Sequence, residues 1–158
     1  MIDKEKLDQI KKASEEEYKR ITKVRCPYLN GDVHFNAEGF EHLLYKKWDS
    51  PRSKEEQYTR LKLLPLAVKV ISQSHTLQEY NESKMFVRVQ SNSKWTKELK
   101  LVKYYIFMAV LNNVLVKIIV REIEGRNKNF YSIIPKWRTE IKEGQHKRIL
   151  YTGNLEED

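Results

Sequence analysis

The stretch REIEGRNKNFYSIIPKWR, residues 121 to 138, gathers five basic side chains, three aromatic rings and one serine around Gly125. Fixed cations, hydroxyls and flat rings together are the parts a protein uses to grip a phosphate chain. An arginine fork fits two oxygens of a phosphate, and when held in place it stabilises the extra charge of a pentacoordinate phosphoryl transition state. Arg121 is therefore the first candidate, with Ser132 as a positioning hydroxyl. Arg126, Lys128, Tyr131, Lys136, Trp137 and Arg138 are expected to hold backbone phosphate or stack a base.

Such a reaction also needs a proton carrier, and imidazole titrates near neutrality. His42 is the preferred candidate because its segment is read as a helix covering a sheet. His34, in GDVHFN, begins the same unit and is the alternative; His75 and His146 fall in an expected loop and tail. No glycine-rich phosphate loop, Gly-x-Ser-x-Gly or His-Glu-x-x-His occurs, and one cysteine with four scattered histidines matches no familiar zinc pattern. The residues point to metal-free acid–base chemistry with no cofactor.

The charge supports a polyanionic partner. The chain carries a net +8, and residues 94 to 138 hold ten Lys/Arg against three Glu. Basic charge concentrated among aromatics is the footprint of a nucleic-acid binder, and RNA is the expected ligand. The longest apolar run, Tyr104 to Leu111, is far shorter than a membrane span requires, and Cys26 has no partner for an internal disulfide. A cytoplasmic protein with no membrane partner is the expectation.

These residues need elements to place them. Residues 3 to 23 carry Leu7, Ile10, Tyr18 and Ile21 near helical spacing and read as a surface arm, residues 1 to 24. CPYLNGD stops that helix and opens the main domain, residues 25 to 140. Asn36 can cap a helix to about Lys47, with Phe40, Leu43 and Leu44 inward and His42 at the boundary of its faces. Ser53 and Glu56 form a capping box for the clearest helix, which Pro65 must bend or split. On it, Arg60 either joins the basic cluster or pairs with Glu56. The segments KMFVRVQ, LKLVKYYIFMAVL, VLVKIIVREI and NFYSIIP are rich in β-branched and aromatic residues and read as an antiparallel meander. The expected fold is α+β: N-terminal helices packed on a C-terminal four-stranded antiparallel sheet. A polar tail, residues 141 to 158, follows.

Within 114 to 123 the side chains alternate. Val116, Ile118 and Val120 form a core face, and Lys117, Ile119, Arg121 and Ile123 form the other, with Lys117 and Arg121 lining one groove about 13 Å apart along the strand. A four-residue turn, 125 to 128, sets Arg121 opposite Ser132; a five-residue turn sets it opposite Tyr131.

The segments HFNAEGFEHLLYK, RLKLLPLA and VKIIVREIEGRNKNFYSIIP, in that order, resemble the phage-associated branch of the barnase/EndoU/colicin/RelE-like ribonuclease superfamily. The resemblance runs from about Val33 to Arg138. It implies metal-independent RNA cleavage, in which the ribose 2′-hydroxyl attacks the adjoining phosphate and leaves a 2′,3′-cyclic phosphate. It gives His42 the role of acid or base, Arg121 that of phosphate clamp and Ser132 that of positioning group. The sheet segments offer no catalytic glutamate of the barnase kind, so the second proton carrier is open among Lys117, Tyr131 and His34. Members of the superfamily are often toxins, which implies an inhibitory partner protein or antitoxin. Two other readings compete: a basic module that binds nucleic acid without cutting it, and a basic face that docks on an acidic protein.

Overall fold

Two helix starts form as their capping residues dictate. The Asn36 side chain accepts from the Gly39 N–H at 3.1 Å and starts α2, Ala37–Leu44. Ser53 Oγ accepts from the Glu56 N–H at 3.2 Å and starts α3, Lys54–Gln73. Pro65 lies inside α3, which continues through it. The ring removes one backbone hydrogen bond at a cost of about 3 kcal/mol. Burial of Leu61, Leu64, Ala67, Val70 and Ile71 on the same helix outweighs that loss.

This computed structural model describes residues 2–47, 49–111, 114–142 and 145–150, and for residues 47, 111, 114, 136–142 and 145–150 it describes the backbone alone. The remaining elements are α1 (Lys4–Ile21), β1 (Lys23–Cys26), β2 (Gly31–His34), β3 (Tyr45–Lys47), β4 (Ser50–Pro51), β5 (Glu79–Ser91), β6 (Lys94–Leu111), β7 (Val114–Ile123), β8 (Lys128–Lys142) and β9 (Gln145–Leu150). The four expected strands are β5 to β8, and they pair as an antiparallel meander. The sheet is larger than four strands, however. Its order is β1-β2-β8-β7-β6-β5, with β9 paired to β8 as well, seven strands in all among the described residues. The β1–β2 hairpin turns through Asn30, whose φ is +50°, and β2 joins β8 in parallel at His34↔Asn129. Strands of four residues with charged alternate positions give too little apolar pattern to read in advance.

One core lies between the helices and the sheet. It unites Leu43 of α2, Leu61 and Leu64 of α3, Val33 of β2, Phe107 of β6, Val116, Ile118 and Val120 of β7, and Phe130 and Ile133 of β8. The first helix, read from the sequence as a surface arm, contributes Leu7 and Tyr18 to this same core. The opposite face of the sheet is apolar too. Val102, Tyr104, Ile106, Ile119, Ile123, Tyr131 and Ile134 form a second buried cluster there. The face that carries Lys117 and Arg121 is thus a second packed layer rather than an open groove.

Tyr18 ties the layers together. Its hydroxyl donates to the Asn36 carbonyl at 2.6 Å, and its ring meets Phe35, Phe40 and Phe130. Burial first, and the charge of Glu38 second, push this hydroxyl well above the usual tyrosine range. The folded chain therefore keeps a proton that the unfolded chain releases above about pH 10. Stability is fully present below that pH and falls as pH rises through the folded value, at up to about 1.4 kcal/mol per pH unit from this residue. Urea denaturation between pH 8 and 11 is expected to show this decline, and Tyr18→Phe is expected to flatten it.

Candidate functional site

The site is built where α2 crosses the edge of β8. On β7, Arg121 projects from the same face as Lys117 and Ile119, and it pairs with Asn129 of β8 and Tyr104 of β6. The expected pairing of Arg121 with Ser132 or Tyr131 does not form. The hairpin closes earlier, through the Arg126 N–H to the Ile123 carbonyl at 2.8 Å, with Gly125 at φ +82°. Glu124 bonds back to β6 from both its N–H and its carboxylate, which holds the turn at residues 123 to 127.

A bulge then restores by another route the contact that the register lost. Ile119 pairs with Ser132 and Val120 with Phe130, so Tyr131 is an extra residue in β8. Bulges redirect a side chain. The Tyr131 ring lies beneath the Arg121 guanidinium, 4.4 Å from its carbon to the ring centroid. His42 stacks on the same ring at 4.4 Å with an interplanar angle of 27°, and Tyr104 meets it edge-on at 5.8 Å. A side chain not singled out from the sequence completes the group: Glu38, whose carboxylate accepts from Arg121 Nη2. Glu38 and His42 are four residues apart and so occupy one face of α2. Both arrive together when that helix docks on β8.

Gly39 sets the docking distance. A Cβ there would lie 2.5 Å from the Phe130 carbonyl oxygen and 2.6 Å from the Tyr18 hydroxyl. Backbone cannot yield as a flexible side chain does, so Gly39→Ala must push α2 off the sheet. The expected cost is about 1–3 kcal/mol, read as a lower urea midpoint with unchanged slope.

The other sequence candidates lie elsewhere. Ser132 is buried, and its hydroxyl takes a hydrogen bond from Arg60 Nη1 at 3.1 Å. His34 lines a hollow of about 470 Å³ between α1 and α2, with Tyr18, Phe40 and Glu41. Lys117 is buried and ion-paired with Glu79 at 3.2 Å. Lys128 pairs with Glu122 at 3.3 Å, and Arg126 donates to the Arg88 carbonyl at 2.6 Å. The side chains of Lys136, Trp137 and Arg138 lie outside the described residues. Arg60 sits 3.7 Å from Glu56 and also reaches the sheet.

Chemically, the group offers one cationic fork, one carboxylate, one imidazole and one flat ring. The Glu38 carboxylate is exposed, whereas both ring nitrogens of His42 are shielded from solvent. A substrate hydroxyl arriving from outside meets Glu38 first. Among the described residues no three His, Cys, Asp or Glu side chains gather as metal ligands would, and no helix is long and apolar enough to cross a membrane. The chain matches no family model, no curated protein and no solved structure.

Proposed function

We propose that this protein is an endoribonuclease that cleaves RNA without a metal, by attack of a ribose 2′-hydroxyl on the adjoining phosphate. The observation that carries the reading is the convergence of Arg121, Glu38 and His42 around the Tyr131 ring. A phosphodiester entering the site exchanges for the Glu38 carboxylate on the Arg121 fork, which frees that carboxylate to act. Glu38 takes the proton from the 2′-hydroxyl, the 2′-oxygen bonds to phosphorus, and the bond from phosphorus to the 5′-oxygen breaks. The departing 5′-oxygen takes its proton from water, and His42, stacked on Tyr131 with its ring nitrogens shielded, positions that ring. Arg121 holds the added charge in between. Glu38 is then the carboxylate that the sheet segments did not offer, supplied by a helix.

Incubation with total RNA in EDTA, followed by end-group analysis, tests this. Cyclic phosphate and 5′-hydroxyl ends are expected, and their absence at every enzyme concentration would sink the proposal. The shielding of the His42 nitrogens favours one competing reading, a module that binds RNA and does not cut it. That reading predicts retention of RNA with no new ends.

A further inference from the structure

Three of the exposed large hydrophobic side chains, Phe86, Trp95 and Leu99, lie away from this site, on the outer hairpin, among cations. The pairing of β6 with β7 ends at Val102↔Ile123, while β5 and β6 continue to pair as far as Ser91↔Lys94. Eight of the thirteen pairs of the hairpin, Lys84↔Leu101 to Ser91↔Lys94, therefore form a two-stranded ribbon with no third strand beside it among the described residues. Partners across an antiparallel pair share a face. Phe86 pairs with Leu99, Arg88 with Lys97, Gln90 with Trp95 and Lys84 with Leu101, so one face carries all of these side chains.

That face is open. Phe86 is 71% exposed, Trp95 58% and Leu99 53%. The other face differs: Met85 and Val87 pack against the second core cluster, and Glu98 pairs there with Lys100. Within the ribbon this face carries Lys84, Arg88 and Lys97 and no acidic side chain among the described residues, while Lys103, below it, stands between Glu82 and Glu122. The Arg88 guanidinium lies 4.8 Å from the centre of the Trp95 ring. The ribbon is also held along its length by Arg126, which donates to the Arg88 carbonyl.

We infer that this ribbon face is a docking platform for single-stranded RNA, with Phe86 and Trp95 stacking bases and Arg88, Lys97 and Lys84 following the phosphates. Aromatic rings on the two neighbouring strands, offset by about 13 Å along the strand direction with cations between them, suit an extended chain of bases and phosphates. A second copy of the protein fits less well, because each face would bring its cations against those of the other. The choice of RNA as the single strand rests on the ribonuclease reading; the platform itself does not.

The test uses a fluorescein-labelled single strand of 2′-O-methyl oligouridine, which cannot be cleaved by 2′-attack, and follows its anisotropy across a salt series. The double variant Phe86→Ser/Trp95→Ser is expected to weaken binding at least about tenfold. Arg88→Gln/Lys97→Gln is expected to flatten the dependence of log K on log salt by about 1.4, or 0.7 per lost contact. Because these side chains are exposed, melting curves followed by circular dichroism should coincide with that of the parent chain. The proposal is overturned if the oligonucleotide does not bind, if both double variants bind it as the parent does, if a duplex binds as tightly, or if sedimentation reveals a dimer that Phe86→Ser dissolves. Ribbon-dependent binding without cleavage of total RNA would leave the platform standing and remove the ribonuclease reading; cleavage with ribbon-independent binding would do the reverse.

Discussion

Arg121→Ala is expected to slow RNA cleavage by about 10²- to 10³-fold, the usual loss when one preorganised group facing a developing oxyanion is removed. The fold should survive the change. Arg121 stands at the surface side of the second core cluster, and its ion pair joins it to an exposed Glu38, a class of contact worth at most about 1 kcal/mol. A large loss of rate beside a small loss of stability separates chemistry from folding. Arg121→Lys sharpens the test, because lysine keeps the charge but cannot present two parallel N–H groups to a phosphate. It is expected to recover only part of the rate. Single-turnover cleavage of a labelled RNA, run beside urea denaturation of each variant, gives both numbers. An Arg121→Ala protein that cuts at the parent rate would reduce the residue to a tie between α2 and the sheet.

The helices that position this site were legible because their signals are local. A capping asparagine or serine, the acidic residues that follow and apolar spacing at three and four residues all lie within one turn or two of one another. The four long strands were legible through their β-branched and aromatic runs. What escaped depends on distant pairing. The bulge at Tyr131 and the early turn at 123 to 127 decide which side chain meets Arg121, and no local pattern announces either. Glu38 was missed because the carboxylate was sought on the sheet, while it sits in the first turn of α2, four residues ahead of His42. That spacing was the available signal. Lys117 and Ser132 were assigned to a groove because strand alternation alone distinguishes faces and cannot say that both are covered.

Arg60→Ala is expected to be the most destabilising single change, at about 3 kcal/mol or more. The Arg60 side chain is 1% exposed, and its Nη1 donates to both the Ser132 hydroxyl at 3.1 Å and the Ile133 carbonyl at 3.0 Å. Its Nη2 lies 3.7 Å from Glu56, which stands equally far from the buried Arg52. Truncation therefore opens a cavity and strips a donor from two buried acceptors, and each orphaned group costs about 1–3 kcal/mol. The melting midpoint of a chain this size should drop by roughly 10 °C. Arg60→Met separates the terms, since it fills most of the volume but leaves both acceptors unmet. Adding Ser132→Ala to Arg60→Met removes one of those acceptors, so the pair is expected to couple favourably by about 1 kcal/mol. Ser132 directly follows the bulged Tyr131, and its bond to α3 holds that stretch of β8 in place. Arg60→Ala should therefore also weaken cleavage at temperatures where it is still fully folded, and a variant that lost stability without losing rate would show that the bulge holds Tyr131 under Arg121 unaided.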